Sequence, residues 1–378
     1  MNMANQDLSN IVEQAIESNF KGMGNINILI AGKTGVGKST LINTVFRSEL
    51  AEVGYGRPVT QGVEKITKEG MPLTIYDTKG LELEDYNAVL AELTELMNEK
   101  NSSIDSDEHI HVAWVCISAE GLRIEDAELN LLKLLRQHSI PTVVVLTKFQ
   151  LTQQNRDFFE QTKDELSTQV SAVVRVRALE EYYEEFEQTL PIMGIDTLIV
   201  ETGKVVPEAK QKAYANALST KHKQALEVKK NQAQKEVNVA MSLASAAAAT
   251  PIPFSDAVTL VPIQVAMIAK IGSTFGMEFT TNSLTTLVTS AIGASGATLV
   301  GRTIVSGVLK LIPGIGSVAG GTIAAATAGA ITKALGNAYV SILYEFAAKN
   351  PGKEMDIAMM AAELKKRMSF KDNSHENK

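Results

Sequence analysis

Apolar and polar positions divide this chain into two regions of different period. The run Ile26-Asn27-Ile28-Leu29-Ile30-Ala31 predicts a buried strand, and a helical pattern over 40–46 follows it. Residues 63–68 and 73–76 flank Gly70-Met71-Pro72 and predict a hairpin. Further strands are expected at 112–118, 142–146 and 172–177, separated by helical patterns near 126–138 and 156–169. Such alternation predicts an α/β fold, a mostly parallel sheet with helices on both faces. Upstream, Leu8, Ile11, Val12, Ala15 and Ile16 recur at helical spacing with Asp7 or Ser9 as cap, so a short amphipathic helix is expected within 1–24. The Gly-rich stretch Gly54-Tyr55-Gly56-Arg57-Pro58-Val59-Thr60-Gln61-Gly62 reads as a mobile loop with no element of its own.

Beyond Pro207 the pattern changes. Residues 207–239 contain no further proline or glycine and predict one long helix, basic through Lys210, Lys212, Lys221, Lys223, Lys229, Lys230 and Lys235. This reads as a solvated connection or as a face for an anionic membrane. Charge then becomes sparse as far as Lys349, through Ala- and Gly-rich apolar segments at 237–250, 258–269, 279–301 and 311–332. Two of these reach the roughly twenty residues of a spanning helix. Their small residues, with Pro313 and Gly314 inside the last, suit close helix packing, either in a compact all-α domain or among membrane helices. The expected organisation is an N-terminal helix (1–24), an α/β domain (25–203), a basic connecting helix (204–238), an apolar helical domain (239–350), and a C-terminal helix with a polar, disordered end (351–378).

Composition narrows the chemistry. A length of 378 residues favours two domains. The net charge of -7 argues against a general nucleic-acid binder. The single cysteine, Cys116, sits in an apolar strand and reads as core, not as ligand or nucleophile. The N-terminus lacks the pattern of a secretory signal. The expected location is the cytoplasm, or a membrane facing it.

Between the first strand and its helix lies Gly32-Lys33-Thr34-Gly35-Val36-Gly37-Lys38-Ser39-Thr40. The spacing Gly-x4-Gly-Lys-Ser in that context is a phosphate-binding loop: backbone N–H groups curl round phosphates, Lys38 reaches the β and γ phosphates, and Ser39 offers its hydroxyl to Mg2+. The second hairpin strand runs into Asp77-Thr78-Lys79-Gly80, setting a carboxylate where nucleotide chemistry occurs in open α/β sheets, a position suited to a Mg2+ partner.

These motifs, with Thr147-Lys148 and a strand ending at Ala178, resemble the G domain of small GTPases in the translation-factor-related superclass, near the Era-like group, over about residues 25–203. The resemblance implies GTP and GDP as ligands and Mg2+ as cofactor. It implies that Thr60 closes over the γ phosphate and Mg2+, that Asp77 holds Mg2+ through water, and that the Gly80 N–H senses the γ phosphate. Lys148 would lie along the base and Ala178 would supply a backbone donor to it.

Two positions depart from that family. The base motif Asn/Thr-Lys-x-Asp reads Thr147-Lys148-Phe149-Gln150, and a neutral glutamine forfeits a charge-assisted pair of hydrogen bonds worth about 1.5 to 3 kcal/mol. Leu81 stands where Ras-like enzymes place their water-orienting glutamine, and Gly35 does not support potassium assistance. Arg57 lies three residues before Thr60, the spacing of a built-in arginine finger, although a solvated loop arginine beside a proline is the favoured reading. The second half is similar to a helical domain of unknown function found after G domains in bacterial and plastid GTPases. That similarity rests on Pro207-Glu208-Ala209, Ala213-Tyr214, Ala248 to Phe254, Val261-Pro262-Ile263-Gln264 and Leu311-Ile312-Pro313-Gly314.

Three functions fit: a slow, Mg2+-dependent GTPase switch controlling the helical domain, aided by a partner or a G-domain dimer; a nucleotide-driven membrane scaffold; and a G-like module with relaxed base choice and little turnover.

Overall fold

The computed structural model describes residues 3–47, 50, 57–58, 62–78, 86–183, 187–249, 256–292 and 321–369. The chain separates into two compact units, residues 23–225 and residues 1–22 with 226–378.

The first unit is built on a seven-stranded sheet in the order β2-β3-β4-β1-β5-β6-β7. Its strands are β1 (Ile26–Ala31), β2 (Arg57–Pro58), β3 (Val63–Thr67), β4 (Leu73–Thr78), β5 (Val112–Ser118), β6 (Thr142–Thr147) and β7 (Ala172–Arg175). β1 runs parallel to β4 and β5, and β6 parallel to β5 and β7, while β3 is antiparallel to β4 as the hairpin pattern predicts. β1 and β6 are buried at every position, which their unbroken apolar runs require of strands covered on both faces. Two findings depart from the sequence reading. Arg57–Pro58 is a short edge strand, where a proline is tolerated because no outer neighbour needs its missing N–H. A hairpin of β8 (Glu181–Tyr183) and β9 (Gln188–Leu190) follows β7.

The helices of this unit are α2 (Lys38–Val45), α3 (Tyr86–Ser102), α4 (Asp126–Gln137), α5 (Gln153–Leu166), α6 (Ile195–Val205) and α7 (Gln211–Ala217). α3 escaped the sequence reading, although Val89, Leu93, Leu96 and Met97 give it a buried face. The single helix expected over 207–239 is corrected. A 3-10 turn (Glu208–Lys210) and α7 form a separate strap, and α8 (Lys223–Ala249) begins only after a break at 218–222. Tyr214 and Leu218 are fully buried and Lys210 and Lys212 nearly so, and with the fully buried Lys229 three of the seven lysines of the expected basic face are internal. Tyr214 donates to the Ile199 carbonyl at 2.9 Å. The strap also ties down the end of α2: Arg47 N–H reaches the Ala217 carbonyl, and Ser219 N–H reaches the Val45 carbonyl, each at 2.9 Å.

At the opposite ends of the strands, His111 joins β1 to the loop before β5. Its Nδ1 accepts from the Asn27 N–H at 2.9 Å, so Nε2 carries the proton and donates to the Ser106 carbonyl at 2.9 Å. Burial lowers its pKa, with Lys210 and His109 acting the same way and Asp107 and the Ser106 bond opposing. A depressed folded pKa means that the unfolded chain takes up the proton first as pH falls. His111 therefore contributes stability above about pH 6.5 and loses it as pH drops through the folded value. Denaturation followed by the fluorescence of Trp114, the single tryptophan, should show a midpoint that falls from pH 7.5 to pH 5. His111→Asn should flatten that fall, and an equal slope in the variant would refute the assignment.

The second unit contains α1 (Met3–Lys21), α8 from Leu226, α9 (Asp256–Thr274), α10 (Thr281–Ile292), α11 (Gly321–Lys349) and α12 (Ile357–Ser369). Val12 and Ala15 of α1 share one core with Val237, Ile268, Leu287, Tyr339 and Leu364. The N-terminal helix therefore packs with helices far along the chain, on α9 and α10. The small residues serve close approach: a Cβ on Gly336 would lie 2.7 Å from the Val237 side chain, and one on Gly272 2.4 Å from the Phe279 ring. Lys229, fully buried, donates to the Thr274 carbonyl at the end of α9 at 3.0 Å. Among the described residues no helix is long and apolar enough to cross a membrane. Residues 293–301 and 311–320 of the two long apolar segments, and the 371–378 tail, lie outside the described residues.

Candidate functional site

β1 delivers the chain to Gly32, where a Cβ would lie 2.3 Å from the Cys116 carbonyl oxygen, so glycine alone lets the loop leave beside β5. Gly35 and Gly37 take φ of 74° and 100°, the left-handed region that glycine enters without strain. Gly37 caps α2, whose Leu41 N–H donates to the Gly37 carbonyl at 3.0 Å, leaving the first N–H groups of the helix facing the loop. Val36 is buried and anchors the loop, whereas Thr34, Gly35 and Ser39 are exposed and Thr40 is half-buried. Lys38 is buried and folds back, donating through Nζ to the carbonyls of Gly32 at 2.9 Å and Lys33 at 3.2 Å. Lys33 turns away and forms an ion pair with Glu125, which holds the Glu125 carboxyl below the usual carboxylate range.

Asp77 is the penultimate residue of β4 and lies beside Ile30 of β1 and Glu64 of β3. Its Oδ1 is buried and has no hydrogen-bond partner among the described residues, as is true of Thr78 Oγ1. Burial raises the Asp77 carboxyl to about 6, opposed by the nearby Lys38 charge and reinforced by Glu64. A desolvated carboxylate oxygen lacking a donor is costly unless a cation or donor completes it. This donor set, with the exposed Ser39 hydroxyl on the neighbouring helix, fits a hard divalent ion with oxygen ligands. Thr60, Gly80 and Leu81 lie outside the described residues, as does the side chain of Arg57. Cys116 is buried with its thiol pushed up to about 12, consistent with a core residue.

The exits of β5, β6 and β7 converge on the expected base site. Thr147 donates through Oγ1 to the Ile117 carbonyl at 3.2 Å, and Phe149, fully buried, donates through its N–H to the Val176 carbonyl at 3.1 Å. Between them Lys148 takes φ 52° and pairs with Glu120 at 3.1 Å. Gln150 accepts through its backbone carbonyl from Asn155 at 3.1 Å. The Ala178 carbonyl accepts from Thr44 Oγ1 of α2 at 3.2 Å, linking the β7 exit to the phosphate-loop helix. Thus the structure brings together 32–40, Asp77, Thr147, Lys148 and Ala178. Sequence reasoning missed Glu120 and Glu125, because a carboxylate six or more residues from any motif carries no signal until the strand exits meet.

Residues 27–148 match the family model described as 50S ribosome-binding GTPase. This part of the chain has a P-loop GTPase fold. Residues 214–368 match a second model, a domain of unknown function (DUF697), and correspond to the helical region. Neuronal-specific septin-3 of Danio rerio is 25% identical over 188 residues, 42% of this chain and 51% of that protein. Translocase of chloroplast 90 of Arabidopsis thaliana is 42% identical over 57 residues, 15% of this chain and 7% of that protein. The chain therefore spans about half the length of the septins it matches and a small fraction of the translocases. A solved structure of Toc33 from Arabidopsis thaliana is 18% identical, covers 57% of this chain and 94% of that one, and has a TM-score of 0.34.

Proposed function

We propose that this chain is a Mg2+-dependent GTP-binding switch of Era-like type with slow intrinsic hydrolysis. The observation that carries the reading is the phosphate loop, which ends in the Gly37 cap of α2, set one strand away from Asp77, whose buried Oδ1 has no hydrogen-bond partner among the described residues. Nucleotide phosphates would take the Lys38 ammonium from the carbonyls of Gly32 and Lys33 and accept from the backbone N–H groups at the start of α2. Ser39, Asp77 and Thr60 would hold Mg2+, which when bound neutralises phosphate charge. Thr60 and Gly80 would close on the γ phosphate. Arg57 is the in-chain candidate to neutralise charge there, and Leu81 makes a second G domain or an activating partner the expected source of water positioning. Leu122, Leu151 and Leu179, exposed by 40%, 52% and 60% on the base-site loops, give such a partner an apolar surface. The strap is the covalent route to the helical unit, since it binds the end of α2 and is followed, after the break at 218–222, by α8.

A nucleotide-binding titration with GTP, GDP, ATP and XTP tests the assignment. The wild type is expected to prefer GTP over ATP by a smaller factor than Gln150→Asp, because the aspartate restores two acceptors to the guanine edge. ATP preference in the wild type would overturn the GTPase reading.

A nucleotide-driven membrane scaffold is the second reading. It is favoured by Val239 and Leu243, one turn apart on α8 and exposed by 51% and 54%. Co-sedimentation with anionic liposomes that rises with GTP would support it, and nucleotide-independent behaviour would remove it.

A further inference from the structure

The exit of β6 is held in an unusual way. Lys148 adopts φ 52°, a left-handed conformation that a side-chain-bearing residue keeps where its neighbours over-determine it. Both neighbours are fixed: Thr147 through its hydroxyl to the Ile117 carbonyl, and Phe149 by complete burial and a backbone bond to Val176. The Lys148 side chain is thereby carried out of the sheet, and its ammonium meets Glu120 at 3.1 Å.

Glu120 is itself placed by its turn. It lies in the 3-10 turn Ala119–Gly121 at the β5 exit, where Ser118 Oγ accepts from the Glu120 N–H at 3.4 Å and donates to Glu120 Oε2 at 3.2 Å. The side chains of Lys148 and Glu120 are 41% and 57% exposed, so their ion pair adds little to fold stability. Its consequence is conformational: it removes rotamer freedom from a long, flexible stem at the β6 exit. At the same exit Gln150 lacks the carboxylate with which an acid would grip a guanine edge.

We propose that Glu120 is a positioning residue for nucleotide binding: it anchors the Lys148 ammonium so that the lysine stem forms a preset platform for a purine ring. This rests on the nucleotide site proposed above. Ordering the stem before binding lowers the entropy lost when the ring stacks on it. A platform reads the flat face of the ring and not its edge, so the same contribution serves guanine and adenine alike. The phosphate grip, made by 32–39, is independent of it.

The test uses the full chain and equilibrium binding of GTP, ATP and inorganic tripolyphosphate to wild type, Glu120→Gln, Lys148→Met and the double variant. Glu120→Gln is expected to weaken GTP and ATP by the same factor, about three- to fivefold, with tripolyphosphate unchanged. In the Lys148→Met background the Glu120→Gln effect should vanish, which a role in general stability would not produce. Unchanged GTP affinity in Glu120→Gln, an equal loss for tripolyphosphate, or full additivity in the double variant would each overturn the inference while leaving the nucleotide site standing. A wild type that binds neither GTP nor tripolyphosphate would remove the site and the inference together.

Discussion

Replacing Lys38 with alanine is expected to weaken GTP binding at least a hundredfold and to abolish multiple-turnover phosphate release. The ammonium is buried and already held over the loop by the carbonyls of Gly32 and Lys33, so its delivery to a phosphate requires little rearrangement. Hydrogen bonds to charged groups contribute about 1.5 to 3 kcal/mol each, and two of them account for a loss of that size. Removing Lys38 also removes the cation that, among the described residues, opposes the burial-driven rise of the Asp77 carboxyl, which should then rise further. Isothermal titration and a phosphate-release assay measure the outcome, with Trp114 fluorescence as the control for folding. Persistent turnover in the variant would place the activity elsewhere or in a contaminant. Absent turnover in a wild type that binds GTP would favour the G-like module with little hydrolysis.

The largest effect on stability is expected at Tyr214, outside every nucleotide motif. Its ring is fully buried in the strap and its hydroxyl bonds to the Ile199 carbonyl of α6 at 2.9 Å. Truncating a buried aromatic to alanine costs about 3 to 5 kcal/mol, a large share of the roughly 5 to 15 kcal/mol that holds a domain together. Tyr214→Ala in the full chain should therefore lower the denaturation midpoint of the Trp114-containing unit sharply. Tyr214→Phe, which leaves the Ile199 carbonyl without that donor, should cost about 1 kcal/mol. An unshifted Trp114 transition in Tyr214→Ala would show that the strap is dispensable for this unit. The expected loss also bears on the family boundary, because Tyr214 falls at the start of the second model, residues 214–368, yet packs in the first unit.

The sheet was largely legible because its strands are buried on both faces and leave continuous apolar runs. The 112–118 and 142–146 runs became β5 and β6 nearly residue for residue. The strap was not legible. Lys210 and Lys212 read as solvated charge, whereas Lys210 is buried in an ion pair with Asp107. Burial of a lysine depends on a partner more than a hundred positions away, and local pattern carries no record of that. The same holds for the partnership of α1 with α9 and α10, since its apolar spacing announces a buried face without saying what covers it.

The sequence by itself determined the phosphate loop, because a fixed spacing of Gly32, Gly37, Lys38 and Ser39 between a strand and a helix suffices to build it. It also determined the absence of an acid at Gln150. Only the tertiary structure decided which groups surround that loop. Asp77 Oδ1 is desolvated, with no donor among the described residues, when β4 is enclosed beside β1, and Glu120 meets Lys148 when β5 and β6 pair in register. The physical reason is range: backbone conformation and amphipathic period are fixed by neighbours in sequence, whereas desolvation and ion pairing are set by neighbours in space.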